Sequence, residues 1–273
     1  MINPTDISLI HSNVDFTRLH GKRVLITGGT GFVGRWMSLV PDGVNITALS
    51  HEQYDNGDWY RQSWDYIIHL AMTGADRVIE CAACCGAPIL FSSSGSVVVD
   101  KPPYSEYNLT KKAAEAALLA SGLNVKVARM YTFAGPWMKN RYALINMIHD
   151  GIYGDYIRVR SSVVSVTRSY MYAADMAIWL WRILLDGEPG GVYEVGATKP
   201  VTMWQLAREV QECITPRMMI YHEPMMTREP RPHYVPTTAI ETMALLGLEE
   251  YTPFGEAIAK TVRWYQEEGR ELG

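Results

Sequence analysis

Tyr107 and Lys111 are the two side chains of this sequence whose types and spacing best suit proton transfer. Because they are four positions apart, they lie on one face of a helix. A free tyrosine is too weak an acid to work as a base at neutral pH, but a neighbouring ammonium favours the phenolate. A tyrosine tuned in this way takes a proton from a hydroxyl group or gives one to a ketone.

A serine-rich run, Phe91-Ser-Ser-Ser-Gly-Ser96, precedes this pair and follows a short apolar stretch. A hydroxyl at the end of a buried strand can share a hydrogen bond with a substrate oxygen and with the tyrosine. By itself, a Tyr-x-x-x-Lys pair is more often a chance pairing on an exposed helix face. The serine run and a glycine-rich turn near the start of the chain favour the catalytic interpretation here.

The glycine-rich turn reads Thr-Gly-Gly-Thr-Gly-Phe-Val-Gly over residues 27–34 and follows the apolar residues 24–26. Gly28 permits a tight turn, Gly31 lets the backbone approach a phosphate, and Gly34 lets the next helix pack closely. The free N–H groups and the dipole at a helix start favour phosphate charge. The pattern predicts a dinucleotide site, and the alternative is an ordinary strand-to-helix turn without a ligand.

Composition and charge narrow the class of protein. The chain has 273 residues, of which 48% are hydrophobic and 20% charged, so it can bury a sizeable core. Its net charge of −4, without a basic block, argues against a nucleic-acid partner. Residues 1–20 show no secretory signal, and the apolar stretch at 176–185 contains Arg182 and is too short for a bilayer. We expect a cytoplasmic protein without a membrane partner.

Three of the four cysteines crowd into the run Glu-Cys-Ala-Ala-Cys-Cys-Gly at residues 80–86. A metal site would need further ligands at matching spacing, and the sequence shows none. We therefore expect no metal and interpret these cysteines as packed residues of a reducing compartment.

The elements that must position these motifs alternate between strands and helices, which is typical of a parallel α/β sheet. Residues 136–167 are less regular, and the proline-rich residues 222–237 predict an extended loop. The predicted strands are 23–27, 44–49, 66–70, 89–92, 125–129 and 192–195. The predicted helices are 5–12, 32–39, 75–85, 107–120, 175–185, 202–214, 239–246 and 254–268.

With these motifs in this order, the chain resembles the extended short-chain dehydrogenase/reductases, in the NAD-dependent epimerase/dehydratase group that acts on nucleotide sugars. The resemblance runs nearly end to end. Besides the glycine turn and the Tyr107–Lys111 pair, it rests on residues 65–71, 91–96, 129–136, 168–175, 192–196 and 245–248.

The resemblance implies a Rossmann-type doubly wound parallel sheet with a smaller C-terminal substrate-binding region. It divides the chain into a dinucleotide-binding domain at 1–135, to which 168–197 returns, and a mainly substrate-binding region at 136–273. In this family Ser94, Tyr107 and Lys111 would be catalytic. The positions matching the dinucleotide site are Gly28, Thr30, Gly31, Phe32, Val33, Gly34, Ser50, Leu70, Ala71, Tyr107 and Lys111.

The resemblance also implies a nucleotide-sugar substrate. Its matching contacts are Ser94, Thr132, Arg168 and Arg231, and Arg228 competes with Arg231 because the proline-rich loop blurs the alignment. Arginines there suit the charge of a nucleotide diphosphate. The chain is shortened between Ser94 and Tyr107 and on both sides of Ala71. The family usually forms a homodimer, and the resemblance implies one here, with a shortened interface helix.

The choice between NAD and NADP depends on the end of the second strand. NAD enzymes of this fold usually place an acid there for the ribose hydroxyls. Here the strand ends Ala48-Leu49-Ser50-His51, and Asp55 and Asp58 follow only later. Ser50 and His51 could instead accept a 2′-phosphate. We expect NAD from the resemblance, with NADP as the alternative.

The reaction is narrowed by the two residues that follow Ser94. Family members that dehydrate the sugar place an Asp-Glu pair there for acid/base work, whereas this chain has Gly95 and Ser96, which disfavours a 4,6-dehydratase. We expect an epimerase that oxidises a sugar carbon, C4 by resemblance, and then reduces it. An NAD(P)H-dependent ketoreductase is the alternative, since both would use Ser94, Tyr107 and Lys111 alike. A protein that binds a dinucleotide without catalysis is a further alternative. It is disfavoured because Ser94, Tyr107 and Lys111 are all present.

Overall fold

The computed structural model describes residues 1–99, 104–139, 142–160, 166–223 and 233–268. The strands are β1 (Arg23–Thr27), β2 (Asn45–Ala48), β3 (Tyr66–His69), β4 (Ile89–Ser94), β5 (Val125–Met130), β6 (Phe133–Ala134), β7 (Tyr156–Arg160), β8 (Thr167–Arg168), β9 (Met171–Tyr172), β10 (Val192–Val195), β11 (Val201–Thr202) and β12 (Met219–Glu223). The helices are α1 (Pro4–Asn13), α2 (Phe32–Met37), α3 (His51–Asn56), α4 (Ala75–Cys85), α5 (Ser96–Val99), α6 (Glu106–Ala120), α7 (Ala143–Tyr153), α8 (Ala173–Asp186), α9 (Met203–Ile214), α10 (Ala239–Leu246) and α11 (Phe254–Glu268).

Six of these strands form one sheet in the order β2-β1-β3-β4-β5-β10, and every neighbouring pair is parallel. The chain moves to one side of β1 for β2 and to the other side for β3, so the direction of winding reverses at β1. A ligand crevice forms at the carboxyl ends of the strands where the order reverses. The sheet confirms the predicted Rossmann-type α/β class.

The β2 strand is the edge of the sheet in the described part of the chain, whereas the common doubly wound order has a further strand there. The connection from β2 to β3 has space only for α3 and one 3-10 turn, Trp59–Arg61. Tyr54, Trp59 and Trp64 of this connection are buried and pack on the sheet through Leu25 and Ile67. The compressed region seen in the sequence thus corresponds to a missing strand.

The core lies on both faces of the sheet, because Val24, Leu25 and Ile26 of β1 are all fully buried. One face is covered by α8, in which Trp179 and Trp181 are fully buried. Such continuous apolar runs are typical of parallel strands that are covered on both sides.

A buried carboxylate near the start of α8 joins this helix to the C-terminal part of the chain. Asp175 accepts hydrogen bonds from the backbone N–H of Thr252, at 2.9 Å, and from its hydroxyl, at 2.7 Å. Burial raises the pKa of Asp175 from 3.8 to about 6, and the hydrogen bonds from Thr252 only partly offset it. The folded state therefore binds this proton more tightly than the unfolded chain does.

This shift predicts how stability changes with pH. Because the folded carboxyl has the higher pKa, the unfolding free energy falls as the pH rises from about 4 to about 6. Replacing Asp175 with Asn should remove this decrease in the unfolding free energy. The decrease amounts to about 2–3 kcal/mol, because each pKa unit contributes about 1.36 kcal/mol. Urea unfolding of both proteins across this range measures it, and parallel pH profiles for the two would contradict the assignment.

The segment 136–167 differs from the sequence prediction of a less regular region. It contains α7, whose buried residues include Leu144, Ile145 and Ile148, and β7, which pairs in parallel with β12. The predicted helix 202–214 corresponds to α9, which begins at a reciprocal capping box formed by Thr202 and Gln205. The division into two domains stays a prediction.

Among the residues described here, no helix is both long enough and apolar enough to cross a membrane.

Candidate active site

The glycine loop lies at the point where the sheet order reverses. Gly28 has a φ of +71°, and a Cβ atom there would lie 3.1 Å from the backbone N of Ala71. A Cβ at Gly34 would lie 2.5 Å from Gly29 Cα and 2.6 Å from Gly28 O, so the helix α2 rests directly on the loop backbone. Gly34 thus allows the close packing of α2, and its nearest neighbours are backbone atoms of the loop.

Gly29 also belongs to this loop, although the sequence pattern assigned it no role. A Cβ there would lie 2.5 Å from the Cβ of Ala48 at the end of β2. The loop is therefore held between the ends of β2 and β3. Gly31 is the N-cap residue of α2 and has no side chain that could accept a hydrogen bond from the first turn. The N–H groups of Phe32, Val33 and Gly34 therefore face outward at the helix start. This cradle fits a pyrophosphate, with Thr30 in the same turn.

The end of β2 offers hydroxyl and imidazole groups at the expected adenosine side. Ser50 caps α3 by accepting the N–H of Gln53 at 3.2 Å. His51 pairs with Asp55 at 2.8 Å, and both side chains are largely exposed. An acid is thus present near this strand end, though one helical turn later than in the common NAD pattern.

The end of β3 is organised by a buried histidine. His69 Nδ1 lies 2.8 Å from Thr27 Oγ1, which also accepts the N–H of Ala71 at 3.3 Å. Burial, with the nearby charge of Lys111, lowers the pKa of His69 to about 3. His69 is therefore a neutral packing residue, and it fixes the strand end where Leu70 and Ala71 lie.

Lys111 is a buried residue of α6, and its side chain reaches the ends of two strands. Its Nζ donates to the carbonyl of Ser92 at 2.7 Å and lies 3.5 Å from that of Ala71. It also lies 4.9 Å from the centre of the Phe91 ring. Burial lowers the pKa of Lys111 to about 8. Tyr107, one turn earlier on α6, is 41% exposed and so is accessible to a ligand.

Ser94 ends β4 and is 5% exposed. Its Oγ lies 2.9 Å from Ser96 Oγ and accepts the N–H of Ser96 at 3.2 Å. Asn108 of α6 donates to the carbonyl of Ser96 at 2.8 Å, which ties the start of α6 to this turn. The loop after β4 and the helix with Tyr107 and Lys111 are thus brought together.

A buried ion pair joins α6 to the sheet. Glu115 accepts a hydrogen bond from the hydroxyl of Ser93 at 2.6 Å and pairs with Arg129 of β5. Since Glu115 lies one turn after Lys111, this contact sets the rotation of the helix against β4 and β5.

The predicted substrate contacts divide into three cases. Thr132 follows β5 two residues after Met130, the partner of Ser94 in the sheet register, so it lies at the same strand ends. Arg168 lies in β8, forms a bridge with Tyr234, and its guanidinium is 5.6 Å from the Tyr234 ring. Arg231 and its competitor Arg228 lie outside the described residues.

Two residues of this site were not assigned from the sequence. The hydroxyl of Tyr234 lies 3.0 Å from Ser94 Oγ. Glu194, at the end of β10, accepts hydrogen bonds from the Tyr131 hydroxyl and from the backbone N–H groups of Thr237 and Thr238. Tyr234 belongs to no local motif, and Glu194 lies in the matching segment 192–196 without an assigned role. Both act through contacts with distant parts of the chain.

Comparisons with known proteins agree with this geometry. UDP-glucuronic acid decarboxylase 1 of Danio rerio is 24% identical over 90% of this chain and 73% of its own length. The structure of the epimerase Mth375 from Methanothermobacter thermautotrophicus covers 99% of this chain and 98% of its own, with a TM-score of 0.77 and 19% identity. MoeE5 in complex with UDP-glucuronic acid and NAD has a TM-score of 0.76 and 19% identity, and covers 90% of this chain and 99% of its own.

A family model described as the NAD dependent epimerase/dehydratase family matches residues 52–196, which is more than half of the chain. The match begins after the glycine loop and includes the serine run, the Tyr107–Lys111 pair and Arg168. The chain therefore belongs to the NAD-dependent epimerase/dehydratase family of enzymes that act on nucleotide sugars.

Proposed function

We propose that this chain is a nucleotide-sugar epimerase that works by transient oxidation of a sugar carbon, with C4 as the expected position. The observation that carries the proposal is the buried ammonium of Lys111, held on the Ser92 carbonyl at the end of the strand that contains Ser94. Lys111 is one helical turn after Tyr107 on α6, and the Tyr107 side chain is exposed. A bound NAD would supply the hydride acceptor during oxidation and the donor during reduction.

In this proposal each of the three residues has one task. Tyr107 takes the proton of the sugar hydroxyl during oxidation and returns it during reduction. Lys111 favours the phenolate of Tyr107 by its charge. Ser94 forms a hydrogen bond to the reacting oxygen. The glycine cradle and the first turn of α2 hold the dinucleotide phosphates.

The carboxylates near this site support an epimerase over a dehydratase. Gly95 and Ser96 supply none after Ser94. Glu115 is occupied by Ser93 and Arg129, and Glu194 by Tyr131 and the 237–238 backbone. Removal of water needs a free acid and base beside the sugar.

A decarboxylase is the second candidate, and the decarboxylase similarity over 90% of the chain favours it. A ketone at C4 makes a carboxylate on C5 a β-keto acid, which loses carbon dioxide. The oxidation step is then the same as in the epimerase, and only the sugar differs. The ketoreductase predicted as an alternative would use the same trio but consume NAD(P)H.

Two incubations separate these outcomes. The protein is incubated with NAD and, in turn, UDP-glucose, UDP-galactose, dTDP-glucose and UDP-glucuronic acid. We expect an isomer of the same mass to form without net consumption of NAD. Loss of carbon dioxide from UDP-glucuronic acid would assign the decarboxylase. A second incubation, with NADH or NADPH and a nucleotide keto sugar, tests the reductase, which would oxidise the reduced dinucleotide stoichiometrically. Binding of the dinucleotide without turnover of any of these would refute catalysis.

The homodimer stays a prediction. The helix α6 exposes Leu109 and Leu119, with alanines between them, and a second copy could cover this face. The molar mass in solution decides it.

A further inference from the structure

An arginine side chain lies on the glycine loop of the candidate site. Arg35 belongs to α2, and helical side chains lean toward the start of their helix. Its Nε donates to the carbonyl of Thr30 at 3.2 Å, so the guanidinium is held beside the loop that precedes the helix. This loop is the same one whose N–H groups form the phosphate cradle.

The guanidinium of Arg35 is accessible to a ligand. The residue is exposed, and its hydrogen bond to Thr30 uses only Nε. Within the residues that the structure describes, no carboxylate pairs with Arg35 and its two Nη groups have no hydrogen-bond partner. A planar guanidinium with both Nη groups available fits the oxygens of a phosphate group.

The ring of Trp137 lies against this guanidinium. Arg35 Cζ is 5.6 Å from the centre of the ring, which is within the range of a cation–π contact. The fully buried Trp36 of α2 meets Trp137 edge-on, with ring centres 5.8 Å apart. Trp137 is thus fixed against α2, and its ring restricts the positions that the Arg35 side chain can take.

The backbone of Trp137 is strained. Its φ of +69° is the one positive value at a non-glycine residue in the part of the chain that the structure describes. Such strain persists only where the surroundings fix the backbone, and it is frequent at ligand sites. Here the Pro136 carbonyl accepts the Nε1–H of Trp36 at 3.3 Å. The Met138 carbonyl accepts the hydroxyl of Tyr265, so both neighbours of Trp137 are held.

We propose that Arg35 binds the pyrophosphate of the dinucleotide directly and that Trp137 is the positioning residue that holds its guanidinium at the glycine loop. The N–H groups of the loop supply hydrogen bonds without a full charge, and Arg35 adds a cation to meet the two negative phosphates. The assignment rests on the dinucleotide binding in the proposed function. It is the same whether the reaction is that of an epimerase, a decarboxylase or a reductase.

The first test compares Arg35→Met with Arg23→Met. Arg23 is a matched control, because it is also exposed and its guanidinium lies 4.5 Å from the ring of Trp64. It begins β1, at the opposite end of this strand from the glycine loop, and its replacement removes the same charge. Titration calorimetry measures the affinity of each protein for NAD and, separately, for UDP, at low salt and at about 1 M salt.

We expect the Kd for NAD to rise about ten-fold in Arg35→Met at low salt, the size of one hydrogen bond to a charged group. Arg23→Met should match the wild type, and the affinity for UDP should be unchanged in both. The ten-fold difference should shrink at about 1 M salt, where charges are screened beyond about 3 Å. Equal NAD affinity in the two variants overturns the assignment, as does a difference that salt leaves unchanged. A loss for UDP instead of NAD overturns it too, because Arg35 would then contact the substrate diphosphate.

The second test concerns Trp137. Trp137→Leu keeps an apolar side chain and removes the aromatic face, so NAD affinity should fall about two- to five-fold, the size of a cation–π contact. Trp137→Phe keeps a ring and should lose less. In the Arg35→Met background, Trp137→Leu should cause no further loss, because Trp137 acts through Arg35. The same loss in both backgrounds contradicts the positioning role.

Failure of the proposed function and failure of this assignment give different results. A wild type that binds NAD but turns over none of the nucleotide sugars refutes the proposed catalysis, whereas a weaker, salt-dependent NAD affinity in Arg35→Met still supports the assignment. A wild type that binds neither NAD nor NADH contradicts the assignment of Arg35 itself.

Discussion

Replacing Tyr107 with Phe is expected to lower kcat on the nucleotide sugar by a factor on the order of 10²–10⁴, the usual contribution of a general acid–base. Phe keeps the ring and loses only the hydroxyl that would carry the proton. Lys111 keeps its bond to the Ser92 carbonyl, so the dinucleotide should bind with little change in affinity. Steady-state kinetics and a titration of NAD by fluorescence measure the two effects.

Tyr153→Phe is the control for this substitution. Tyr153 ends α7 and is 52% exposed, comparable to Tyr107, but it lies on another helix and outside the motifs of the site. It should leave kcat and NAD binding as in the wild type. Full turnover by Tyr107→Phe would remove Tyr107 from the mechanism, whatever the reaction proves to be.

Replacing Gly34 with Ala is expected to weaken NAD binding by at least ten-fold and to destabilise the fold by about 1–3 kcal/mol, the usual range for overpacking. The new methyl group would lie 2.5–2.6 Å from backbone atoms of Gly28 and Gly29. Backbone cannot move aside as a side chain can, so the loop must shift away from the helix start that would hold the phosphates. Isothermal titration with NAD and thermal unfolding measure both effects.

Gly255→Ala is the matched control, since Gly255 is also helical. Its added methyl group would meet only the end of the Glu209 side chain, which can turn away. Alanine is favoured over glycine in a helix by about 1 kcal/mol, so this variant should be as stable as the wild type or more so. If Gly34→Ala behaved like Gly255→Ala, the cradle would not be the phosphate site.

The elements that form the sheet could be predicted from the sequence because each is a short apolar run bounded by turn residues. The strand Arg23–Thr27 and the helix Ala75–Cys85 have the predicted bounds. The helix α7 was missed although Leu144, Ile145 and Ile148 follow helical spacing, because Gly151 and the adjacent isoleucines weaken its helix propensity. Its formation depends on burial, which the local sequence does not show.

In the candidate site, too, the residues of local motifs could be predicted and those that depend on long-range contacts could not. Gly28, Ser94, Tyr107 and Lys111 belong to contiguous motifs, so the sequence identified them. In the structure Gly28 follows β1 and Ser94 ends β4, with β3 between these two strands, and Lys111 reaches from α6 to the Ser92 carbonyl of β4. Tyr234 was not identified, since its contact with Ser94 spans 140 positions and follows a proline-rich stretch without periodicity. Long-range contacts of this kind are determined by the packing of the whole chain.

The fate of the hydrogen at the inverted carbon tests the account most directly. The nucleotide sugar that turns over is prepared with deuterium at C4 and incubated in ordinary water with the NAD-loaded protein, and its isomer is analysed by NMR and mass spectrometry. Transient oxidation within one site predicts that the isomer keeps its deuterium at C4, because the hydride returns to the carbon that it left. An isomer that carries solvent hydrogen at this carbon, or that forms equally well on protein stripped of dinucleotide, would contradict it.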